Sequence, residues 1–249
     1  MEIAPANPSL FRIAVDALKD FLPQGELIVS SSGVRMNGMD ASHVGFVDYF
    51  LAAADCTTLT VPTPCRIGIN TYILARTLGT ISSGDRVSLS TNKEKLVVTY
   101  VNEKIGKKAV YEMNTLDISE EALELPNTEY AATIDIKTYD LAQALKEVSA
   151  FGETIQFKLD EAGFHISTTG DSGSVCQTLE NTDDRTMDLT EDCVVAGYGS
   201  KYLMNIMKGA ASLSPTVKIE FDATQPLRAS FLFGSGSHFV AYLAPKIIE

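Results

Sequence analysis

The feature that most constrains this chain is that it repeats itself. Ala17-Leu18-Lys19-Asp20 is answered by Ala144-Leu145-Lys146-Glu147 at a spacing of 127 residues, and Gly33-Val34 by Gly163-Phe164 at 130. The Ile73-Leu74-Ala75-Arg76 stretch is answered by Met204–Lys208 at about 132. Four similar residues on two amphipathic helices can arise by chance. Three landmarks in the same order at nearly one period predict an internal duplication, with loop insertions absorbing the drift. Each copy reads helix, strands, helix, strands. The expected fold is α+β, with domains at 1–113 and 131–249 joined by a connector at 114–130, sizes that suit a chain of 249 residues.

The helices are read from a 3.6-residue period. Ser9–Leu22 carries Leu10, Ile13, Ala14, Ala17, Leu18 and Phe21; Asn70–Ile81 carries Ile73, Leu74, Thr77 and Leu78 on one side. Tyr139–Phe151 carries Leu141, Ala144, Leu145 and Val148, and Ser200–Ala211 carries Leu203, Met204, Ile206, Met207 and Ala210, with Ser200 as its expected cap. Strands are expected around 27–30, 87–90, 96–100, 217–221 and 239–243, where β-branched and aromatic residues cluster between turn formers. The connector has only acidic charge (Asp117, Glu120, Glu121, Glu124, Glu129) interleaved with Leu116, Ile118, Leu123 and Leu125 before Pro126. Its aliphatic residues suit either one wall of a groove or a strap pinned to the core.

Charge is segregated. The whole chain is −12, yet the spans 8–22, 70–81, 137–151 and 199–212 hold seven basic residues against four acidic ones. Lysine and arginine favour helices, but glutamate does so equally, and these spans contain only one. Four helices sharing one surface would present it to a polyanion, while the remainder repels one.

Composition removes other classes. With 45% hydrophobic and 21% charged residues the chain can build a core, which excludes disorder as its main state. No run approaches the roughly 18 apolar residues of a membrane span, and the N-terminus lacks a secretory pattern, so a soluble intracellular protein without a membrane partner is expected. Cys56, Cys65, Cys176 and Cys193 stand singly and are expected to be reduced and packed. His43, His165 and His238 lack metal-ligand spacing, and neither a phosphate-binding glycine loop nor a dinucleotide fingerprint occurs, so no metal or cofactor is expected. Gly170-Asp171-Ser172-Gly173 copies the surroundings of a serine-protease nucleophile, and His43, Asp48 and Ser172 follow that chain order. The fifth position is Ser174 rather than glycine, and such a string is commonly a turn; a hydrolase built on Ser172 is the remote alternative.

Two longer strings carry a resemblance. Ser30-Ser31-Ser32-Gly33-Val34 followed by Met39-Asp40-Ala41-Ser42-His43-Val44, and Tyr242-Leu243-Ala244-Pro245-Lys246-Ile247, resemble the sliding DNA clamps of the proliferating cell nuclear antigen family. Tyr111-Glu112-Met113 and Leu123-Glu124-Leu125-Pro126 match as well, so the resemblance spans the chain in register. It implies two similar clamp domains per subunit and a head-to-tail homotrimeric ring, helices lining the hole and sheets outside. A subunit of a hetero-oligomeric clamp is the alternative within the same fold. The implied function is non-enzymatic: a processivity factor that encircles duplex DNA without reading its sequence and tethers its clients in replication and repair. Those clients are a DNA polymerase, a clamp loader, and flap endonuclease- and ligase-type proteins.

Residue by residue, the resemblance assigns DNA contact to Arg12, Lys19, Arg76, Lys146, Lys201 and Lys208, while Ile13 and Gly79 stand where relatives are often basic. It assigns a client-peptide pocket to Met39, His43, Val44, Phe46, Leu123, Leu125, Pro126, Pro226, Tyr242, Ala244 and Pro245. By itself His43 reads as a core-edge histidine; by resemblance it is a pocket wall. Phe46 replaces a usual smaller aliphatic. The implied subunit interface pairs the strand of Lys108, Ala109, Val110, Tyr111 and Glu112 with that of Ser174, Val175, Cys176, Gln177, Thr178 and Leu179. Glu161 stands where eukaryotic relatives carry a modifiable lysine, and no acidic tail follows Glu249, features that suit a viral or divergent clamp. The expected location is the nucleus, or a host nucleus or viral replication site.

Overall fold

The computed structural model describes residues 1–92, 94–118 and 128–247. The duplication is visible as one order of elements read twice. The first pass is β1 (Glu2–Pro5), α1 (Pro8–Leu18), β2 (Gln24–Ser30), β3 (Gly33–Met39), β4 (Gly45–Ala52), β5 (Cys56–Thr60), β6 (Cys65–Asn70), α2 (Thr71–Leu78), β7 (Arg86–Thr91), β8 (Lys95–Asn102) and β9 (Lys107–Asn114). The second is β10 (Ala132–Lys137), α3 (Thr138–Val148), β11 (Thr154–Asp160), β12 (Gly163–Gly170), β13 (Gly173–Leu179), β14 (Thr186–Leu189), β15 (Cys193–Gly199), α4 (Ser200–Ala210), β16 (Thr216–Phe221), β17 (Leu227–Phe233) and β18 (Ser237–Leu243). The fold is therefore α+β with antiparallel ladders, and every strand expected from the sequence lies inside one of these.

The chain divides into two compact units. The first comprises Met1–Ala41, Val47–Leu123 and Phe233–Phe239; the second comprises Ser42–Phe46, Glu124–Leu232 and Val240–Glu249. The strands run in the orders β5-β1-β7-β8-β9 and β6-β2-β3-β4 in the first copy and β14-β10-β16-β17-β18 and β15-β11-β12-β13 in the second, with residues of β4 and of β18 belonging to both units. Each ladder of one unit has its counterpart in the other. Alternation along β8 and β2 buries every second residue, as a sheet with one face on a core requires. In the first unit α1 packs on α2, which also lies on β2 and β6; Leu18, Leu74, Leu78, Leu27 and Val29 are almost fully buried there. In the second, α3 packs on α4, and Phe157, Phe164, Tyr198 and Phe221 form an aromatic cluster with ring centroids 5.0–6.1 Å apart.

The helices are shorter than their periodicity suggests. α1 stops at Leu18 because the Phe21 and Leu22 amides both turn back onto the Leu18 carbonyl, ahead of Pro23. Asn7 caps α1 through the Ser9 and Leu10 amides at 3.1 Å, and Asn70 caps α2 through Ile73 at 2.9 Å. Ser200 is not the cap of α4. It is the first helical residue, after Gly199, and its amide donates to the Glu153 carbonyl at 2.9 Å. The Thr71 amide does the same to Pro23 at 3.0 Å, so at equivalent places a loop carbonyl takes the amide of the first helical residue. On α2 the buried side is Thr71, Leu74, Ala75 and Leu78, which leaves the expected core residue Ile73 47% exposed. The cysteines are all free, but Cys176 and Cys193 are exposed rather than packed, because they occupy outward positions on β13 and β15.

Gly33 and Gly163 open β3 and β12 with φ of 153° and 134°. A Cβ at Gly33 would lie 2.2 Å from the Leu51 carbonyl oxygen, and one at Gly163 2.6 Å from that of Leu179. The repeat has kept glycine twice because a third strand crosses at the same point. In the first unit Arg35 grips buried Asp48 with two bonds of 2.6 Å, and His238 Nε2 lies 3.4 Å from the same carboxylate. Burial opposes ionisation of Asp48, but His238 and Arg35 outweigh it and hold its pKa below the ordinary carboxylate value.

Gly33→Ala is expected to cost about 3 kcal/mol in urea unfolding, from backbone strain and the carbonyl clash; an unchanged midpoint would contradict the close crossing. A depressed folded-state pKa stabilises fully above the unfolded value near 4 and is lost as pH falls through the folded one. Asp48→Asn should therefore remove about 3 kcal/mol at neutral pH and flatten the fall in stability on acidification. Parallel acid-unfolding curves for wild type and variant would refute this.

Candidate functional site

Three surfaces gather the residues singled out by sequence. The first is the outward stripe of the helices. Arg12 and Lys19 lie on α1 and Arg76 on α2; Lys146 lies on α3, and Lys201 and Lys208 on α4. They are not equally available. Lys19 is tied to Asp16 at 2.9 Å and Asp20 at 3.5 Å. Its partial burial works against the charge, but Asp16 and Asp20 keep its pKa above the ordinary value. Among the described residues Arg12, Arg76, Lys146, Lys201 and Lys208 carry no ion pair, and the Arg76 guanidinium stands 6.0 Å over the Tyr72 ring. The other two acidic positions of these helices are Asp140, facing Arg185 at 3.5 Å, and Glu147, bonded to Gln143 and Gln177. The exposed residues of α2 and α4 are basic or neutral, whereas on α3 Glu147 stays an exposed carboxylate next to Lys146.

The second surface belongs to the second unit. There Val44 and Phe46 meet Ala244 and Tyr242, with His43 and Pro245 next to them in the chain and Pro226 exposed on the turn before β17. The Ala244 amide donates to the Val44 carbonyl at 2.9 Å and the Lys246 amide to Gly197 at 2.7 Å. Pro245 falls between these anchors, where a missing N–H costs nothing. Phe46 is 5% exposed and stands edge-on to Tyr242 at 5.9 Å, so it forms the base of this surface rather than its rim. His43 is exposed, with φ of 55°, which sets aside the core-edge reading. A non-glycine residue in the left-handed region marks a turn held by its surroundings.

The sequence reading missed a neighbouring cleft of about 600 Å³ in the same unit, lined by Phe151, Gly152, Gly199, Tyr202 and Lys246. Lys246 in the terminal string was its only sequence signal. Also missed was the Tyr130 anchor, whose ring carries the Arg228 guanidinium at 5.0 Å while Arg228 chelates buried Glu220. Burial pushes the Tyr130 phenol up to about 12. Met39 lies half-buried at the end of β3 in the first unit. Leu123, Leu125 and Pro126 lie outside the described residues. Just before them Leu116 bridges to Gly68 of β6, its amide 2.8 Å from the Gly68 carbonyl, so the connector starts as a strap.

The third surface is a pair of sheet edges. Among the described residues β9 has β8 on one side only and β13 has β12 on one side only. On β9, Lys108 and Val110 point outward, Val110 at 52% exposure, while Tyr111 turns inward beside Tyr100 at 5.2 Å. On β13, Ser174, Cys176 and Thr178 are exposed and Val175, Gln177 and Leu179 half-buried. The counterparts of these strands are not free. In the first unit, the Ser237 hydroxyl of β18 accepts the Ala52 amide of β4 at 3.0 Å, and His238 packs on Phe50 at 5.5 Å; in the second, Tyr242 of β18 meets Phe46 of β4.

The hydrolase alternative fails on geometry. Gly170 pairs with Gly173, so Asp171-Ser172 is a two-residue hairpin turn, and Asp48 is taken by Arg35 and His238 rather than His43. No helix among the described residues is long and apolar enough to cross a membrane.

Comparison with known proteins agrees with this arrangement. Residues 1–122 match the N-terminal domain of proliferating cell nuclear antigen, and residues 124–246 its C-terminal domain. The proliferating cell nuclear antigen of Chaetomium thermophilum is 29% identical over 256 residues, covering 99% of this chain and 98% of that one. Proliferating cell nuclear antigen 2 of Drosophila melanogaster is 25% identical over 252 residues, again covering 99% and 98%. Duplicated α+β units, matched end to end by both domains, make this chain a member of the proliferating cell nuclear antigen family of sliding clamps, which are not enzymes.

Proposed function

We propose that three copies close head to tail into a ring that encircles duplex DNA, and that clients dock on the His43, Val44, Tyr242, Ala244 and Pro245 surface. The observation that carries this reading is the unequal fate of duplicated strands. β4 and β18 neighbour each other within the chain, whereas their counterparts β13 and β9 each keep an open edge. Repeating the β4–β18 relation between chains, β13 of one against β9 of the next, satisfies both edges. Such a contact is heterologous and must close on itself to avoid a filament. The exposed edge residue Val110 would be covered in it.

On this reading Arg12, Arg76, Lys146, Lys201 and Lys208, with a self-neutralised Lys19, line the hole. Contacts to phosphates are few and sequence-blind, which suits sliding. The ring works by topology: a tethered client has a raised effective concentration at the primer end. Clients bring a short helical turn whose apolar anchors enter the pocket completed by Met39, Leu123, Leu125, Pro126 and Pro226. These clients are a DNA polymerase, a clamp loader, and flap endonuclease- and ligase-type proteins, and the site of action is the nucleus or a viral replication site.

Light scattering on a sizing column should give close to 81 kDa, three times 26.9 kDa. Val110→Asp should shift that mass to 26.9 kDa without unfolding the chain. A wild type that stays at 26.9 kDa at every concentration would reject self-closure and favour a hetero-oligomeric clamp. Separately, Tyr242→Ala or Leu123→Ala should weaken binding of a client peptide about ten-fold or more with the oligomer intact. Undiminished peptide affinity in both would remove the pocket assignment.

A further inference from the structure

The duplication aligns the helices residue for residue, and the alignment exposes a substitution that charge counting passes over. Lys19 and Lys146 fix α1 against α3. Thr71 and Ser200, whose amides bond the loop carbonyls of Pro23 and Glu153, fix α2 against α4 at a spacing of 129, which corrects the 132 expected from sequence and sets Arg76 against Asn205 rather than Lys208. In α1 the outward stripe at i, i+4 and i+7 is Arg12, Asp16, Lys19; in α3 the same places hold Tyr139, Gln143, Lys146. In α2 it is Tyr72, Arg76, Gly79, and in α4 Lys201, Asn205, Lys208. The first place of the stripe is therefore a cation in one copy and a tyrosine in the other, in both helix pairs.

These tyrosines are presented rather than packed. Tyr139 is 76% exposed and Tyr72 51%, and neither phenol hydroxyl bonds another described residue. Each shares its stripe with a cation free of ion pairs, Lys146 seven residues on from Tyr139 and Arg76 four residues on from Tyr72. Arg76 lies over the Tyr72 ring at 6.0 Å, so ring and guanidinium face the same ligand together.

We propose that Tyr72 and Tyr139 are DNA-contacting residues whose phenol O–H groups donate to backbone phosphates at places where the other copy uses Arg12 and Lys201. The assignment rests on the reading of these helices as the DNA-facing surface. Its chemistry differs from that of a cation. A neutral donor makes a hydrogen bond to phosphate but displaces no condensed counterion, so its contribution does not depend on salt. Lysine and arginine contacts each steepen the salt dependence by about one unit of slope.

The test is a titration of the full-length protein into a short, labelled, blunt-ended duplex, followed by anisotropy across a salt series. The proteins compared are wild type, Y72F/Y139F and R76A/K146A, each first sized by light scattering. The double Phe variant, which removes six hydroxyls from a three-copy ring, should bind at least about five-fold more weakly, the effect of one lost contact, with an unchanged slope of log affinity against log salt. The R76A/K146A variant, which removes six cations, should lower that slope by about one or more. Wild type that binds while Y72F/Y139F binds equally well overturns the tyrosine assignment alone, as does retained affinity in Phe but loss in Y72A/Y139A, which would assign the contact to the rings. Wild type of normal mass that binds no duplex at any salt overturns the DNA-facing reading, and this assignment with it.

Discussion

Backbone hydrogen bonding at the margins of a sheet governs this molecule. A strand's amides and carbonyls must find partners wherever water is excluded, and an uncovered edge recruits another strand. The four ladders end in eight strands, and four of them form two corresponding pairs: β4 with β13, and β18 with β9. Two of them, β4 and β18, neighbour each other within the chain, and the other two, β9 and β13, do not. On the proposed reading the edges of β9 and β13 meet between copies, and residues such as Val110 and Cys176 refine that pairing.

Much of this was legible in the residues. Clusters of β-branched and aromatic residues between turn formers located β2, β7, β8, β16 and β18, because that signal is local. The repeated Gly33 and Gly163 were visible as landmarks, but their reason was not. A crossing carbonyl from Leu51 or Leu179 is a long-range neighbour that no local pattern encodes. Helix ends were overextended for the same reason. Phe21 and Leu22 continue the apolar period of α1 yet serve the loop, where both amides close on Leu18. Ser200 has the chemistry of a cap but sits one residue too late, since the helix already begins at it and Gly199 holds the cap position.

The candidate site was less legible than the fold. Family strings gave His43, Phe46, Tyr242 and Pro245, but only the structure separates an exposed His43 from a buried Phe46. The cleft beside Lys246 draws on Phe151, Gly152, Gly199 and Tyr202, which are far apart in sequence and individually unremarked. Tyr130 looked like the plain end of an acidic connector; its stacking under Arg228, itself clamped by Glu220, is a tertiary fact. Exposed Cys176 and Cys193 likewise follow from strand position, not from residue type.

The bond from Lys19 to Asp16 and Asp20 bears on movement as well as on holding. A lysine already neutralised by its own helix has little to exchange with a passing phosphate, and so offers little friction. In the ring proposed above, lined by such residues and by neutral donors, confinement and adhesion would be separate properties: the closed backbone would prevent escape, while the lining would keep drag low. Strengthening the lining would then slow travel along the duplex without making departure from it any harder.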